Sequence, residues 1–435
     1  MKINGRDLAL ATGLSLLAAT CASGQGTDAA PPGAQPQTPR NPQARLLEAL
    51  QRNRLPLTMS SDGPAGPGWD WLVQQAKDVR FTLVGEEHGV AETAQFSAAL
   101  FHALRGAGYS RIAIELSPSI TQDIEAAARR NGFQGILDFL GTPGIWTFYN
   151  LREEAQLLAD VIKAAPGNEQ VLWGFEREIF NDRYLISKLE AKVPQRARES
   201  LMRLKDASTK AWARYEEDPN GDNLFILSGD PALVTAVRTA WRDPDRESDA
   251  ILRTLEESLA IEAAERAGGA WPYMVRRAQW NRENLAALLR EEQTRKRSAK
   301  IMMKFGYIHM IRGANYFNVF DLGAMADEAA ALAGDQTFHI LVLPGPGSRQ
   351  VVPGPKSTFV SVSSDEFDEL GTGEGRLTRM LSNAHAAGHE VIDLRALRPL
   401  AMRGLEGWNP DLIRTIHGYD AAVIWKGAHA SSPLK

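Results

Sequence analysis

Two short apolar runs separated by a helical pattern constrain the fold of this chain more than any other feature. The first run, VRFTLVG at 79–85, has the length and composition of a buried strand. Residues 91–106 repeat apolar side chains at helical spacing, and a second strand-like run, RIAIELSP, occupies 111–118. A strand, a helix and a second strand in so short a stretch predict a βαβ unit with parallel pairing and a right-handed crossover.

The same pattern recurs along the chain of 435 residues. A helix is predicted at 151–165, and nearly continuous helix is predicted over 182–297. Further strands are predicted at 170–176, 300–309, 338–345, 358–363, 390–394 and 421–427. These elements predict an α/β fold, in which a central parallel or mixed sheet is flanked by helices and carries a large helical insertion at 182–297.

The N-terminus has the order of a secretory signal. Lys2 and Arg6 precede an apolar run at 8–19, and small residues follow. The run is too short for an ordinary membrane-spanning helix, so residues 1–21 are predicted to be a signal peptide. Cys21, the only cysteine, lies at the expected cleavage region, where a bacterial lipoprotein would be cut and lipidated. Lipidation at Cys21 and plain secretion remain alternatives, and both predict an envelope location that is periplasmic, outer-membrane or secreted.

Residues 22–43 are rich in glycine, proline, alanine and glutamine and nearly lack large apolar groups. Such a segment cannot bury enough surface to offset its ordering entropy. We therefore predict a flexible linker at 22–43 that leads into one domain at 44–435.

The overall charge restricts the kinds of partner. A net charge of −4 and a pI near 6.1 provide no basic surface for a polyanion, which argues against nucleic-acid binding. The predicted partners are a small-molecule or peptide substrate, and a membrane only through a lipid anchor at Cys21. With a single cysteine, the chain can form no intramolecular disulfide and no thiolate metal cluster.

Ionisable residues stand where four of the predicted strands end. GEEHG (85–89) follows the first strand, Glu115 lies in the second, Glu176 closes the third and His309 closes the fourth. Ligands of open α/β sheets bind beyond the carboxyl ends of the strands. If these strands are neighbours, two histidines and at least two carboxylates converge on one rim. Glu176 is either a member of that site or a charge at its edge.

The spacing Gly-x-x-His occurs twice, at 85–88 and 306–309, and each copy closes a β-rich run. Glycine beside a histidine lets the backbone turn and keeps space for a ligand. An alternative for the first copy is that Glu86 and His88 cap the following helix. Glu115 lies inside the apolar run IAIEL, where a carboxylate is costly unless it is paired or ligating. It is therefore either a site residue or the structural partner of an arginine.

The predicted helical insertion contributes one more candidate group. RRAQWNREN at 276–284 places Arg277 and Asn281 one turn apart with Asn284 nearby, and a solvated arginine-rich helix is the alternative. His339 lies inside an apolar strand and is predicted to be a core histidine. The chain has no Gly-x-Ser-x-Gly elbow, which argues against an ordinary serine α/β-hydrolase.

The order of these motifs resembles the erythromycin esterase-like proteins, which share a fold with Tiki/TraB metallopeptidase-like proteins and ChaN-like haem-binding lipoproteins. The resemblance covers roughly residues 70–430 and rests on LVGEEHG, IAIELSP, VLWGFE, RAQWNREN, KFGYIHMIRG and YDAAVIWKGAHASSP. The site positions of the family fall on Glu86, His88, Glu115, Arg277, Asn284 and His309.

The resemblance implies roles for these residues. In esterase relatives the first-motif histidine is a general base, which implies that His88 activates water while Glu86 and Glu115 orient it. Arg277 and His309 would then stabilise the developing oxyanion. In Tiki-like relatives Gly-x-x-His pairs and an acid hold a divalent metal. That alternative implies His88, Glu115 and His309 as ligands of Zn, Mn or Fe.

The chain departs from the esterase pattern at three places. GEEHG is one residue shorter than the esterase motif Gly-Glu-x-x-His-Gly, the arginine expected soon after it is missing, and Ala278 stands where the family has aspartate. The resemblance therefore implies the fold and the site without implying a macrolide substrate.

Taken together, these features predict an exported hydrolase. Its His/Glu site would activate water against an ester or amide bond, either directly or with a bound metal. One alternative is an envelope lipoprotein that binds haem or iron as ChaN does, with His88 or His309 as axial ligand. Another is a degenerate member of the family without catalytic activity.

Overall fold

The computed structural model describes residues 42–434 except 166, 168, 296–298, 352–353, 356–357, 364–380, 382–387 and 404–409. The predicted signal peptide at 1–21 with Cys21 and nearly all of the predicted linker at 22–43 lie outside the described residues. Those features therefore remain predictions.

Strands and helices alternate along most of the chain. The strands are β1 (Arg54–Ser60), β2 (Gly63–Ala65), β3 (Phe81–Glu86), β4 (Tyr109–Ile114), β5 (Leu172–Gly174), β6 (Lys300–Gly306), β7 (Thr337–Pro344), β8 (Ser348–Val351), β9 (Val360–Ser363), β10 (His389–Asp393) and β11 (Ala421–Trp425). The helices are α1 (Pro42–Arg52), α2 (Pro67–Lys77), α3 (Ala91–Leu104), α4 (Pro118–Leu140), α5 (Arg152–Ala164), α6 (Asp182–Glu190), α7 (Arg198–Glu217), α8 (Phe225–Ser228), α9 (Ala232–Ala240), α10 (Arg246–Gly268), α11 (Ala270–Thr294), α12 (Tyr307–Met310), α13 (Leu322–Leu332), α14 (Arg398–Arg403) and α15 (Pro410–Gly418).

Nine of these strands form one mixed sheet in the order β2-β1-β10-β11-β7-β3-β6-β4-β5. From β11 to β5 each strand is parallel to its neighbour. The strands β10, β1 and β2 complete the sheet with antiparallel pairs, while β8 and β9 form a separate antiparallel pair. The predicted α/β class with a mixed sheet flanked by helices is confirmed.

The parallel strands are buried on both faces because their side chains alternate between two apolar layers. On one face, Val84 and Met302 belong to a cluster with residues of α2, α3, α4 and α5. On the other face, Leu83 and Met303 belong to a cluster with residues of α11 and α13. Helices therefore cover both faces of the sheet, and ligands can approach it at the carboxyl ends of the strands.

The predicted pairing of the first two strands is wrong. β3 and β4 are parallel, but β6 lies between them and pairs with both. Local periodicity identifies a buried strand and its approximate direction, yet it carries no signal for which strand lies beside it. Here the strand that follows the helical region, β6, is inserted between β3 and β4.

Two further strand predictions need correction. The strand predicted at 300–309 ends at Gly306, and the next four residues form α12. The strand predicted at 358–363 is present as β9, but it pairs with β8 outside the main sheet.

The chain between β5 and β6 forms the helices α6 to α11. Residues of α6, α7, α9 and α10 share the apolar cluster that also contains α4 and α5, whereas Leu285 of α11 belongs to the cluster on the opposite face. Among the described residues, no helix is long and apolar enough to cross a membrane.

Candidate active site

The four strands that end in candidate residues lie side by side in the order β3-β6-β4-β5. Glu86 at the end of β3 is in register with Gly306 at the end of β6, so the two Gly-x-x-His segments meet at one edge of the sheet. The strand that follows β3 in the chain, β4, lies beyond β6 in the sheet. The strand that follows β6 in the chain, β7, lies on the opposite side, next to β3. Open α/β sheets bind their ligands at such a topological switch point.

Two glycines allow the first of these segments to turn tightly. A Cβ on Gly85 would lie 2.6 Å from the hydroxyl oxygen of Tyr419 and 3.0 Å from the Cα of Tyr307. Gly89 has a φ of +83°, and a Cβ there would overlap the carbonyl oxygen of Gln350. The absence of a side chain at both positions therefore lets the loop that carries His88 pack against its neighbours.

Two histidine–carboxylate pairs face one shared glutamate. Nδ1 of His88 lies 2.8 Å from Oε1 of Glu86, and Nδ1 of His309 lies 2.7 Å from Oδ2 of Asp321. Nε2 of His88 lies 3.4 Å from Oε2 of Glu115. Nε2 of His309 lies 3.7 Å from Oε1 of the same glutamate. The carboxylate at each Nδ1 orients its imidazole ring so that Nε2 is directed toward Glu115.

Arg277 of α11 holds the shared glutamate from the helical side. Its Nη2 donates to Oε1 of Glu115 at 2.7 Å and to Oε2 of Glu176 at 2.6 Å. Its Nε donates to the same Oε2 of Glu176 at 2.9 Å. The second oxygen of Glu115 accepts a hydrogen bond from the backbone N–H of Gly306 at 2.6 Å. Glu115 is therefore fixed by partners from α11 and β6 as well as by the two histidines.

Lys304 on β6 is a buried cation at the base of the site. Its Nζ lies 2.7 Å from Oε1 of Glu86 and 3.0 Å from both carboxylate oxygens of Glu154 on α5. The Lys304 side chain is 0% exposed, and those of Glu86 and Glu154 are 0% and 1% exposed. Lys304 therefore stabilises the ionised form of the carboxylate that orients His88.

The charges in this cluster outweigh the effect of burial. Burial alone lowers the pKa of His88, yet Glu86 and Glu115 raise it well above 6.5. Burial alone raises the pKa of Glu115, yet His88 and the nearby cations hold it well below 4.5. In the same way, Lys304 and His88 keep the pKa of Glu86 below 4.5 against the effect of burial. At neutral pH the site is therefore ionic, with His88 as an imidazolium between two carboxylates.

His88 is the accessible member of the histidine–carboxylate cluster. Its side chain is 30% exposed, whereas those of Glu115 and His309 are 7% and 1% exposed. Phe148 stacks on the His88 ring with the ring centroids 4.6 Å apart. A molecule from solvent therefore reaches His88 before it reaches the groups behind it.

The structure brings together five residues that the sequence analysis placed in the site: Glu86, His88, Glu115, Arg277 and His309. Helix capping does not explain the first segment, because the N-cap of α3 is Val90, without a side-chain cap bond. Glu176 belongs to the cluster, since it is 4% exposed and bonds to Arg277.

The helix α11 is also buried where its candidate residues lie. Asn281 is 0% exposed, and Asn284 donates a hydrogen bond to the carbonyl oxygen of Phe175 at 3.0 Å. The alternative of a solvated arginine-rich helix is therefore wrong on this face. His339 is a core histidine as predicted, with Nδ1 2.7 Å from the carbonyl oxygen of Met310 and its pKa lowered to about 4 by burial.

Sequence reasoning missed three residues of the cluster: Lys304, Glu154 and Asp321. Lys304 had the same signal as Glu115, a charge inside an apolar strand, in KIMMKFG. Glu154 and Asp321 had no comparable signal, because each reaches the site only through the packing of a helix or loop against the sheet.

One group of described residues has the arrangement of a candidate metal site. Glu115, Glu176 and His309 each offer a ligand atom, and these atoms all lie within 4.8 Å of one another. The group differs from the predicted ligand set by containing Glu176 in place of His88. However, the Arg277 guanidinium already bridges both carboxylates, at 2.7 and 2.6 Å. The residues present therefore do not fit an added divalent ion.

The chain has the erythromycin esterase-like fold, as three solved structures show. A mutant of the erythromycin esterase EreC in its open conformation has a TM-score of 0.54 at 12% identity, covering 84% of this chain and 95% of that one. A protein from Bacillus cereus has a TM-score of 0.55 at 14% identity, covering 91% of this chain and 100% of that one. A succinoglycan biosynthesis protein has a TM-score of 0.57 at 13% identity, covering 90% of this chain and 99% of that one.

Sequence comparisons add nothing to this likeness. No protein-family model matches the chain, and no curated protein matches it. At identities of 12–14% the structural likeness concerns the fold alone.

Proposed function

We propose that this chain is a hydrolase that activates water with His88 and acts on an ester or amide bond of a small-molecule or peptide substrate. The observation that carries the proposal is the placement of His88. It is the most accessible member of a buried cluster of carboxylates and cations, at the switch point of an α/β sheet. The predicted signal peptide adds an envelope location to the proposal.

In this mechanism the carboxylates of Glu86 and Glu115 set the orientation and the protonation state of His88. Glu86 accepts the Nδ1–H of His88, so that Nε2 is the nitrogen that takes a proton from water. Glu115 faces Nε2 and stabilises the imidazolium that forms when the proton is taken. His309 is nearly inaccessible, so its role is to orient Glu115 from behind rather than to contact the substrate.

Arg277 supplies the positive charge for the oxyanion. Its Nε and Nη2 are committed to Glu115 and Glu176, while Nη1 makes no hydrogen bond to the described residues. A guanidinium held rigidly by two carboxylates is preorganised to donate from Nη1 to a developing negative charge. No step of this mechanism needs a metal ion.

The likeness to EreC supports a hydrolase only at the level of the fold. A macrolide substrate is not part of the proposal, because the departures at the first motif and at Ala278 lie in the segments that make up the site. No observation on the described residues favours haem or iron binding, and that alternative remains a prediction.

A substrate panel tests the proposal directly. Purified protein is assayed on aryl esters, lactones, amides and peptides, with and without a metal chelator. We expect turnover of at least one of these classes at a rate that the chelator does not change. Activity that is lost to the chelator and restored by a divalent ion would contradict the metal-free mechanism. If no member of the panel is turned over, the hydrolase assignment is wrong.

The pH dependence of kcat/KM reports the charge of His88. A general base must be neutral to accept a proton, and the pKa of His88 is raised well above 6.5 by its two carboxylates. We therefore expect kcat/KM to rise with pH and to reach half its plateau well above pH 6.5. Glu115→Gln removes one of the charges that raise this pKa, so the midpoint should move to lower pH.

The control for that shift is Glu217→Gln, which changes an exposed glutamate on α7. It should leave the midpoint of the pH profile unchanged. A profile that is flat through neutral and alkaline pH, or a midpoint that Glu115→Gln does not move, would show that His88 is not the base.

A further inference from the structure

The guanidinium of Arg277 lies where a metal ion would lie in the Glu115/Glu176/His309 cluster. Nη2 is 2.7 Å from Oε1 of Glu115 and 2.6 Å from Oε2 of Glu176. The same Oε1 of Glu115 is 3.7 Å from Nε2 of His309. The three ligand atoms of the cluster lie within 4.8 Å of one another, close enough to share one small cation. One nitrogen of the arginine thus makes the contacts that an ion would make with both carboxylates.

We propose that Arg277 is the built-in cation of this cluster: it excludes divalent metal from the native chain, and its removal converts Glu115, Glu176 and His309 into a divalent metal site. This inference does not rest on the proposed hydrolase function, since it concerns only which cation the cluster holds.

Two features exclude a metal ion from the native chain: the positive charge of Arg277, and the use of the carboxylate lone pairs as hydrogen-bond acceptors. Arg277 is always protonated, and the side chain is only 11% exposed, so a second cation beside it would be repelled with little screening by water. The carboxylate oxygens that face the cluster already accept hydrogen bonds from Arg277. An ion could bind only by displacing the guanidinium from both carboxylates.

The ligands would remain in place when Arg277 is removed, because each is held by a second partner. Oε1 of Glu176 accepts the backbone N–H of Arg177 at 2.7 Å, and Oε2 of Glu115 accepts that of Gly306 at 2.6 Å. Nδ1 of His309 is paired with Asp321 at 2.7 Å. A histidine oriented by a carboxylate at its other nitrogen is the usual arrangement around a bound metal. Two buried carboxylates without their cation then favour a divalent ion, and one imidazole with two carboxylates suits zinc or manganese.

The test measures binding of Zn²⁺ and Mn²⁺ to chelator-treated protein by titration calorimetry and by the shift in melting temperature. The wild type should show no metal binding that depends on Glu176. Arg277→Lys keeps a cation at this position, so its metal binding should equal that of the wild type. Arg277→Ala should bind one equivalent of metal at least tenfold more tightly than any site of the wild type does, and it should melt at a higher temperature when metal is added. Addition of Glu176→Gln to Arg277→Ala should abolish that binding.

Arg177→Ala is the matched control, because Arg177 is a second buried arginine beside Glu176. Its Nη1 lies 3.5 Å from Oε1 of Glu176, and its Nε bonds to Glu262, which is not one of the three ligands. The metal binding of Arg177→Ala should match that of the wild type. The proposal is overturned if wild-type protein binds a stoichiometric ion that Glu176→Gln removes, or if folded Arg277→Ala binds neither metal. Should Arg277→Ala be unfolded without metal, added zinc must refold it, and failure to do so is an equally negative result.

Discussion

Replacement of His88 by glutamine is expected to lower the hydrolytic rate by about 10²- to 10⁴-fold, the usual contribution of a general base. Glutamine cannot take a proton from water, whereas the neutral imidazole can. The fold should survive the change, because Glu86 keeps Lys304 as its partner and Glu115 keeps Arg277. The measurement is kcat/KM on the best substrate of the ester and amide panel, together with a thermal melt.

The control for this variant is His102→Gln, since His102 is an exposed histidine on α3. It should retain the wild-type rate. A rate for His88→Gln within about threefold of the wild type would assign the base to another residue, since that factor lies far below the general-base contribution.

Replacement of Lys304 by methionine is expected to destabilise the protein by about 3–5 kcal/mol, the usual cost of removing one partner from a buried ionic group. Methionine has nearly the length of lysine but no charge. The carboxylates of Glu86 and Glu154, at 0% and 1% exposure, would then lose the cation that lies between them, and Glu86 would keep only His88 as a charged partner. The measurement is the free energy of unfolding in urea at neutral pH.

The direction in which the stability loss of Lys304→Met changes with pH distinguishes the loss of a buried charge from a packing defect. Burial and Glu86 already raise the pKa of Glu154 in the wild type, and loss of Lys304 raises it further, while Glu86 loses one of the two cations that keep its pKa low. The folded variant then binds protons more readily than the unfolded one, so its deficit relative to the wild type should shrink as the pH is lowered. Addition of Glu154→Gln should likewise recover part of the loss, because it removes one of the two opposed charges.

Lys300→Met provides the matched control on the same strand. Lys300 is at the partly exposed beginning of β6, and its Nζ donates to a backbone carbonyl rather than to a carboxylate. Its replacement should cost no more than about 1 kcal/mol, as for one ordinary hydrogen bond. An equal loss for Lys300→Met and Lys304→Met, or a Lys304→Met deficit that does not change with pH, would contradict the ionic role of Lys304.

Much of the fold could be predicted because its signals are local. The apolar run at 79–85 and the period of 91–106 correspond closely to β3 and α3. The sequence pattern does not predict strand β1 or helix α4. Pro56 interrupts the pattern of β1, and Gly132 has a non-helical conformation within α4. β1 forms because it pairs with β10 in the sheet, and α4 forms because it packs against the sheet. No short window of sequence shows either contribution.

The candidate site could be predicted where a charged residue lies among apolar neighbours in the sequence. Glu115 in IAIEL and the abrupt GEEHG after a strand are charges beside residues that require burial, and such charges must have partners. Lys304 carries the same signal within the apolar strand KIMMKFG. Asp321 carried none, because its contact with His309 at 2.7 Å depends on how the chain returns after α12.

The sequence by itself determined that strands alternate with helices and that Glu86, His88, Glu115 and His309 stand at strand ends. These properties depend on the periodicity and polarity of residues that are only a few positions apart in the chain. Only the tertiary structure decided that β6 lies between β3 and β4, so that both histidines face one glutamate. It also decided that Arg277 binds the carboxylates of Glu115 and Glu176. Such pairings join residues far apart in the chain, and they are selected by burial and charge compensation in the whole fold.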